Sequence, residues 1–411
     1  MRESDLKIIT NKNDIFHIQI YIPIGSIHEE KGEYGISHFL EHLKFNKSEK
    51  YDTETFRNKL DEFSYNAYTT LDHTSYFITA NNKYHEELIN LMKEIVFNTN
   101  FSNNEIEIER NIVLSEKIYR KKKKTILDDI SIYDKKNPYY RPVIGNTKDL
   151  NRLKNTDFKR YNKLYLNDFF VFINCPEKNK TKIQKLCLKK FPKSLKNNVK
   201  PLKNTELFNY ELSIRNISDE KQILILRFKS FDSNDKNVHY VDFLNNIISK
   251  GKVSKLKKLL REEKGIVYRI ESFNEKFKHN GYYTIKIILK KNENINKVIK
   301  LIFNEIEKLK NNKIHKKDLE LFKRIYLNQL NLKLKDNKFN YNFFGTNLFY
   351  DREFNIDIYK NQIKNLNSDK LLELFKKILN YYEMNIIIYG NYQNINKKNE
   401  QIYKIIEKYR N

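Results

Sequence analysis

His38-Phe39-Leu40-Glu41-His42 decides how the rest of the chain is read. On an α-helix, residues four apart leave the same face one turn apart. His38 and His42 can therefore meet one cation, and the spacing suits two ligands of a tetrahedral Zn²⁺. Glu41 stands three residues from one histidine and next to the other, so it can reach a bound water without being a ligand. The order H-x-x-E-H reverses the commoner H-E-x-x-H. A third ligand has to come from elsewhere. Glu105, Glu107, Glu109 and Glu116 are the candidates on one predicted helix, where Glu109 and Glu116, seven apart, share a face.

Around this stretch the periodicities predict a mixed fold. Phe16 to Ile24 alternates and is β-branched, which reads as a strand. The metal helix is expected over 35–46, with Ser37 as its cap, and a second helix over 50–63. Tyr65 to Ala80 is rich in Thr, Tyr and Phe, which is strand chemistry. Amphipathic helices are predicted at 84–99 and 103–121. The second opens on Ser102-Asn103-Asn104-Glu105, a capping-box pattern, and its Ile108, Ile112 and Val113 are expected to be apolar contacts. A helix over 147–163, a strand over 169–174 and a helix over 179–190 follow. Residues 191–206, FPKSLKNNVKPLKNTE, hold two of the six prolines and no apolar period. They mark the boundary between a domain at 1–195, a linker at 196–206 and a domain at 207–411.

The second half repeats the first. Lys221–Phe228, Tyr240–Lys250, Tyr282–Leu289, 295–309 and Lys317–Leu330 echo the strand, metal helix, second strand and two helices of the first half at an offset of about 204 to 213, as a duplicated α+β unit would. In this alignment His38, Glu41 and His42 face Asp242, Asn245 and Asn246, and Glu116 faces Gln329. The second copy has lost the metal set.

Composition bounds the reading. A chain of 411 residues has material for more than one domain, and 28 Tyr with 27 Phe compensate for a hydrophobic fraction of 39%. The net charge of +26 raises nucleic acid or an anionic membrane as partners. Lysine is spread along the whole chain, however, with Arg120–Lys124 the densest run. Gly (9) and Pro (6) are scarce, as an A+T-rich coding sequence would produce. The charge is therefore read as compositional. Cys175 and Cys187 form no C-x-x-C pair and imply no disulfide framework. No apolar leader and no stretch of about 18–20 apolar residues is visible. The expectation is a cytoplasmic protein without membrane contact.

Together these motifs resemble the pitrilysin-type (inverzincin) zinc peptidases, the group that includes insulin-degrading enzymes and mitochondrial processing peptidases. His38 to His42 follows Gly35-Ile36-Ser37 as in the family's metal helix. Asn66-Ala67-Tyr68-Thr69, continued by Thr74-Ser75-Tyr76, is similar to its substrate-edge strand. Glu109-Arg110-Asn111-Ile112-Val113-Leu114-Ser115-Glu116 is similar to the helix of the third ligand. Gly251, Ser254-Lys255-Leu256 and Leu260 to Tyr268 are similar to an Arg/Tyr element of the second half. Lys44 departs from the pattern, which favours an apolar or small residue there.

The resemblance implies two homologous α/β-sandwich-like domains, an antiparallel-rich sheet with helices packed on it in each, forming half of a clamshell chamber in a short, processing-peptidase-like member. It implies one zinc per chain on His38, His42 and Glu116, with Glu41 as general base and Glu109 as support. It implies oxyanion and substrate contacts from Arg261 and Tyr268, seven apart and both facing inward if their segment is helical. Asn66, Ala67 and Tyr68 would take a short or unfolded peptide as an added strand. The implied activity is zinc-dependent endopeptidase action by a homodimer. One alternative is a heterodimer with a degenerate partner. The other is a non-catalytic basic binding protein on the same fold, against which no nucleic-acid motif is present.

Overall fold

The computed structural model describes residues 1–123, 137–195, 212–217, 221–291 and 293–410. The linker expected at 196–206 lies outside them, as does Lys124 of the basic run. The chain divides into two compact units, Met1–Leu207 with Tyr341–Glu353, and Phe208–Asn340 with Phe354–Asn411.

The first unit runs β1 (Leu6–Asn11), β2 (Ile15–Ile22), α1 (Ile36–Leu43), α2 (Thr53–Asp61), β3 (Ser64–Thr69), β4 (Thr74–Asn81), α3 (His85–Val96), α4 (Asn103–Lys123), α5 (Thr147–Leu150), α6 (Asn155–Lys163), β5 (Phe170–Pro176) and α7 (Lys180–Lys190). The sheet order is β1-β5-β2-β4-β3. β1 pairs parallel with β5, and the other pairs are antiparallel. β3 closes the sheet on one side with β4 as its neighbour. Ile18, Ile20, Ile22, Tyr76, Ile78, Val171 and Ile173 from the sheet share one apolar cluster with Phe39, Leu40 and Leu43 of α1 and Leu88, Leu91, Met92 and Ile95 of α3. Burying Phe39, Leu40 and Leu43, at about 2 kcal/mol each, holds the metal helix on the sheet.

The other face of this sheet is covered by Tyr341–Glu353, a stretch the sequence placed in the 207–411 domain. Tyr341 stacks on His17 at 4.1 Å and Phe349 on Tyr21 at 5.0 Å. Gly345 lies so close to the sheet that a Cβ there would sit 2.4 Å from the Tyr21 hydroxyl. β2 is consequently buried on both faces. Long-range packing of this kind has no local periodicity to announce it.

The second unit runs β6 (Leu212–Asn216), β7 (Ile223–Lys229), α8 (Val238–Ile248), α9 (Lys255–Lys257, continued by a π-helical turn Lys258–Glu263), β8 (Val267–Lys276), β9 (Gly281–Leu289), α10 (Ile295–Asn311), α11 (Lys316–Lys333), α12 (Asn337–Tyr350, most of which belongs to the first unit), α13 (Ile356–Asn365), α14 (Ser368–Ile378), β10 (Met384–Gly390) and α15 (Ile395–Arg410). Its sheet order, β6-β10-β7-β9-β8, reproduces the first strand for strand, including the single parallel pair. The chain is thus two sheet-plus-helix domains of one topology. Among the described residues no helix is long and apolar enough to cross a membrane.

Some local expectations need correction. The helix predicted over 147–163 is two, because Asn146 caps α5 through the Asp149 N–H and the Asp157 carboxylate accepts the Lys154 N–H at the start of α6. Ile108 and Ile112 are exposed, at 49% and 45%, since the buried face of α4 is drawn by Ile106, Glu109, Arg110 and Val113. The capping box is present as Ser102 N–H to Glu105 (2.6 Å) and Glu105 N–H to Ser102 Oγ (3.3 Å).

Candidate metal centre

α1 begins at Gly35, whose φ of +104° only glycine adopts readily. Ser37 is not its cap. It lies inside the helix, its hydroxyl 2.8 Å from that of Tyr161. The cap is Glu29, whose two carboxylate oxygens accept the N–H of Gly35 (2.7 Å) and of Ser37 (3.0 Å). Burial pushes the Glu29 carboxyl up to about 7, against the pull of these two N–H groups. Lys44, the residue that departs from the pattern, is fully buried just past α1. Its ammonium donates to the Val96 carbonyl and to Asn162 and lies over the Tyr165 ring. Burial holds its pKa well below the usual lysine value.

His38 and His42 leave α1 one turn apart, ring centroids 4.8 Å from each other. α4 packs alongside and brings Glu116 to them. Glu116 Oε2 is 3.6 Å from His38 Nε2 and 3.6 Å from His42 Nε2. Among the described residues this is the one group of three such side chains able to hold a metal ion, its ligand atoms all within 4.8 Å of one another. Zinc bonds of about 2.0–2.1 Å in a tetrahedron set ligand–ligand edges near 3.4 Å. The donor set therefore fits zinc in type and spacing. Two imidazoles and one carboxylate leave a fourth position open, which distinguishes a catalytic from a structural arrangement.

The surrounding groups aim the donors. Glu109 Oε2 lies 3.3 Å from His42 Nδ1, which keeps the proton on that nitrogen and turns Nε2 inward. Asn46 donates to the other Glu109 oxygen at 3.1 Å, Arg57 lies 3.9 Å from it, and Arg57 also donates to Asn46. Arg120 takes Glu116 Oε1 at 2.7 Å, leaving Oε2 for the cation. His38 Nδ1, by contrast, is buried without a hydrogen-bond partner among the described residues.

In the metal-free chain these contacts split the two histidines. Burial, then the charge of His42, lowers His38 to about 4. Burial also pulls on His42, but the Glu109 and Glu116 carboxylates outweigh it and hold the imidazole up at about 9. The hydrogen bond to His42, followed by burial acting the other way, leaves Glu116 at about 2.

Glu41 is buried, and burial raises its pKa although Thr69 Oγ1 donates to Oε2 at 2.6 Å. Thr69 belongs to β3, so the edge strand and Glu41 are joined directly. Along that strand Asn66 is exposed, and its own Oδ1 accepts the Ala67 N–H at 2.8 Å. The Tyr68 hydroxyl accepts from Gln19 at 3.2 Å, which places the side chain on the sheet face away from Glu41. A cleft of about 440 Å³ opens beside Glu41 and His42, lined also by Phe45, Asn46, Arg57, Asp61 and Tyr65.

Arg261 and Tyr268 lie in the second unit. They do not share a helix: Arg261 lies within the π-helical turn and Tyr268 stands on β8, 70% exposed. Gly265, at φ +64°, breaks the segment between them. Of the counterparts of the metal set, Asp242, Asn245 and Asn246 are on α8 and Gln329 is on α11. Asn245 accepts from Ser272 of β8 at 2.8 Å, the same contact that Glu41 makes with Thr69, with the carboxylate replaced by an amide. Asn46, Arg57 and Glu29 were not singled out from the sequence, Thr69 was read only as part of the edge-strand motif, and Arg120 only as part of a basic run. Asn46 and Arg120 sit four residues after His42 and Glu116, a spacing that could have marked them. Glu29 lies in a loop where no spacing would.

Residues 7–135 match the family model for insulinase (peptidase family M16), and residues 159–326 match the model for the M16 inactive domain. An uncharacterized zinc protease of Bacillus subtilis, YmxG, is 26% identical over 275 residues, 65% of this chain and 67% of its own length. The mitochondrial-processing peptidase subunit beta of Saccharomyces cerevisiae is 26% identical over 160 residues, 38% of this chain and 35% of its own. The crystal structure of a protease from Helicobacter pylori superposes with a TM-score of 0.82 at 20% identity, covering 94% of this chain and 97% of that one, and shares its fold.

Proposed function

Because the chain belongs to peptidase family M16, we propose that it is a zinc-dependent endopeptidase acting on short or unfolded peptides. One observation carries the reading: His38 Nε2, His42 Nε2 and Glu116 Oε2 converge beside a buried Glu41 that is hydrogen-bonded to the edge strand. His38, His42 and Glu116 would hold the ion. Zinc, when bound, supplies Lewis-acid polarisation and a water of lowered pKa.

The chain's own residues do the rest. Glu41, raised by burial, accepts the proton of the attacking water and delivers it to the leaving amine. The Thr69 hydroxyl occupies Oε2, so Oε1 is the oxygen assigned to the proton transfer. Glu109 and Arg120 fix the orientation of His42 and Glu116. A peptide adding to β3 uses main-chain hydrogen bonds, which tolerate many side chains. To use the Ala67 N–H it must displace the Asn66 side chain. The cleft beside Glu41 then receives a side chain next to the scissile bond.

Members of the family work in complexes, as the processing-peptidase subunit does. The reading includes self-pairing, for which size-exclusion of the purified chain is the check, and a cytoplasmic location. The deciding experiment measures zinc content and cleavage of a quenched peptide library with and without a chelator. Stoichiometric zinc and chelator-sensitive cleavage are expected. A chain that takes up no zinc, or cleaves equally well in excess chelator, refutes the proposal.

A further inference from the structure

We propose that Arg141–Leu153 is a positioning element of the metal centre, a clasp that sets the distance between the helix of His38 and His42 and the helix of Glu116. The inference rests on the metal reading above. The two helices are far apart along the chain, and the hydrogen bonds of the clasp go to residues beside the ligands. Its contacts divide between the two sides.

On the α1 side, the Arg141 guanidinium donates to the Ile27 carbonyl at 2.8 Å and to that of Glu29, the residue that caps α1. Asp149 Oδ2 accepts the Tyr34 N–H at 3.3 Å, and the Asn146 N–H donates to the Tyr34 carbonyl at 3.4 Å. Gly145 then meets Gly35 almost backbone to backbone. A Cβ on Gly145 would lie 2.1 Å from the Tyr34 carbonyl oxygen, and one on Gly35 would lie 3.0 Å from the Gly145 Cα. On the α4 side, Lys117, next to Glu116, donates to the Gly145 carbonyl. One turn before the middle of that helix, Arg110, next to Glu109, donates to the carbonyls of Leu150 and, at 2.7 Å, Leu153.

Gly145 is therefore held from both directions: its Cα rests on the residue that starts α1, and its carbonyl is bound by the neighbour of Glu116. Moving either helix strains this one residue. A tetrahedral site tolerates little change in ligand spacing, so ion affinity reads the position of the clasp.

The test uses the full chain with zinc competed against a chromophoric chelator, and cobalt(II) substituted to read coordination by its visible spectrum. Gly145→Ala is expected to weaken zinc binding by about 10- to 100-fold and to alter the cobalt spectrum, and Lys117→Met by about tenfold, with Lys117→Arg restoring affinity. Arg160→Met, which removes an exposed ion pair to Glu33, serves as the control for loss of a surface contact. If Gly145→Ala does not fold, the Lys117 pair decides. Lys117→Met that is folded by near-ultraviolet circular dichroism, binds zinc as the wild type does and keeps the cobalt spectrum overturns the clasp alone. Wild type that takes up no zinc, or loses none of its affinity in His38→Ala, overturns the metal reading and the clasp with it.

Discussion

Zinc binding by this chain is expected to release one proton at neutral pH, because the Glu109 and Glu116 carboxylates keep His42 protonated in the metal-free chain. With the metal absent, His42 titrates at about 9, His38 at about 4 and Glu116 at about 2. At pH 7 only His42 carries a proton that the cation must displace. Its neutral fraction there is about 1%, so apparent affinity is about 100-fold below its plateau above pH 9 and climbs about tenfold per pH unit between. The same raised value has a stability sign: His42 stabilises the metal-free fold below its usual 6.5, and this contribution is lost as pH rises through about 9.

Glu109→Gln removes the charge 3.3 Å from His42 Nδ1, so the His42 pKa falls and its proton competes less. It also loosens the ring, which costs about 10- to 100-fold in intrinsic affinity. The two effects oppose each other at pH 7. The deficit of the variant is therefore smallest at neutral pH and grows toward pH 9. Isothermal titration calorimetry at pH 7 in buffers of different ionisation enthalpy reads the proton directly. Release indistinguishable from zero in the wild type, or a Glu109→Gln deficit that does not change with pH, refutes the reasoning.

Three further outcomes are expected. Glu41→Gln is expected to retain zinc and lose cleavage by about 10²- to 10⁴-fold; a zinc-loaded variant with full turnover contradicts the general-base role. The family resemblance implies that Tyr268, exposed on β8, contacts substrate; on that reading Tyr268→Phe is expected to lower kcat with zinc content unchanged, and an unchanged kcat removes the implied role. Glu29 titrates at about 7, so its stabilising protonated form is complete below 4.5 and is lost as pH rises through 7. Glu29→Gln is therefore expected to gain on the wild type in urea denaturation between pH 5 and pH 7.5, and a difference independent of pH speaks against a titrating cap.

How much was legible depends on how far apart the interacting residues stand. The i, i+4 histidines, the Ser102–Glu105 capping box and the shared face of Glu109 and Glu116 lie within single helices, where geometry follows from spacing. The duplication was legible for a similar reason, because each half repeats its own periodicities. Arg261 and Tyr268 show the limit: a spacing of seven suggested one helical face, and Gly265 between them ends the helix.

What the sequence determined by itself is the chemistry on offer: two imidazoles on one helical face, a carboxylate between them, acids on a second helix, and two copies of one α+β unit. What only the tertiary structure decided is which groups meet. Glu116 joins the histidines, Glu109 turns His42, Glu29 starts the helix from a loop, Gly145 lies against Gly35, and Tyr341–Glu353 covers the first sheet. The physical reason is that periodicity reports a residue's face within its own element. The partner of that face is set by close packing among elements far apart in the chain, and no local pattern records it.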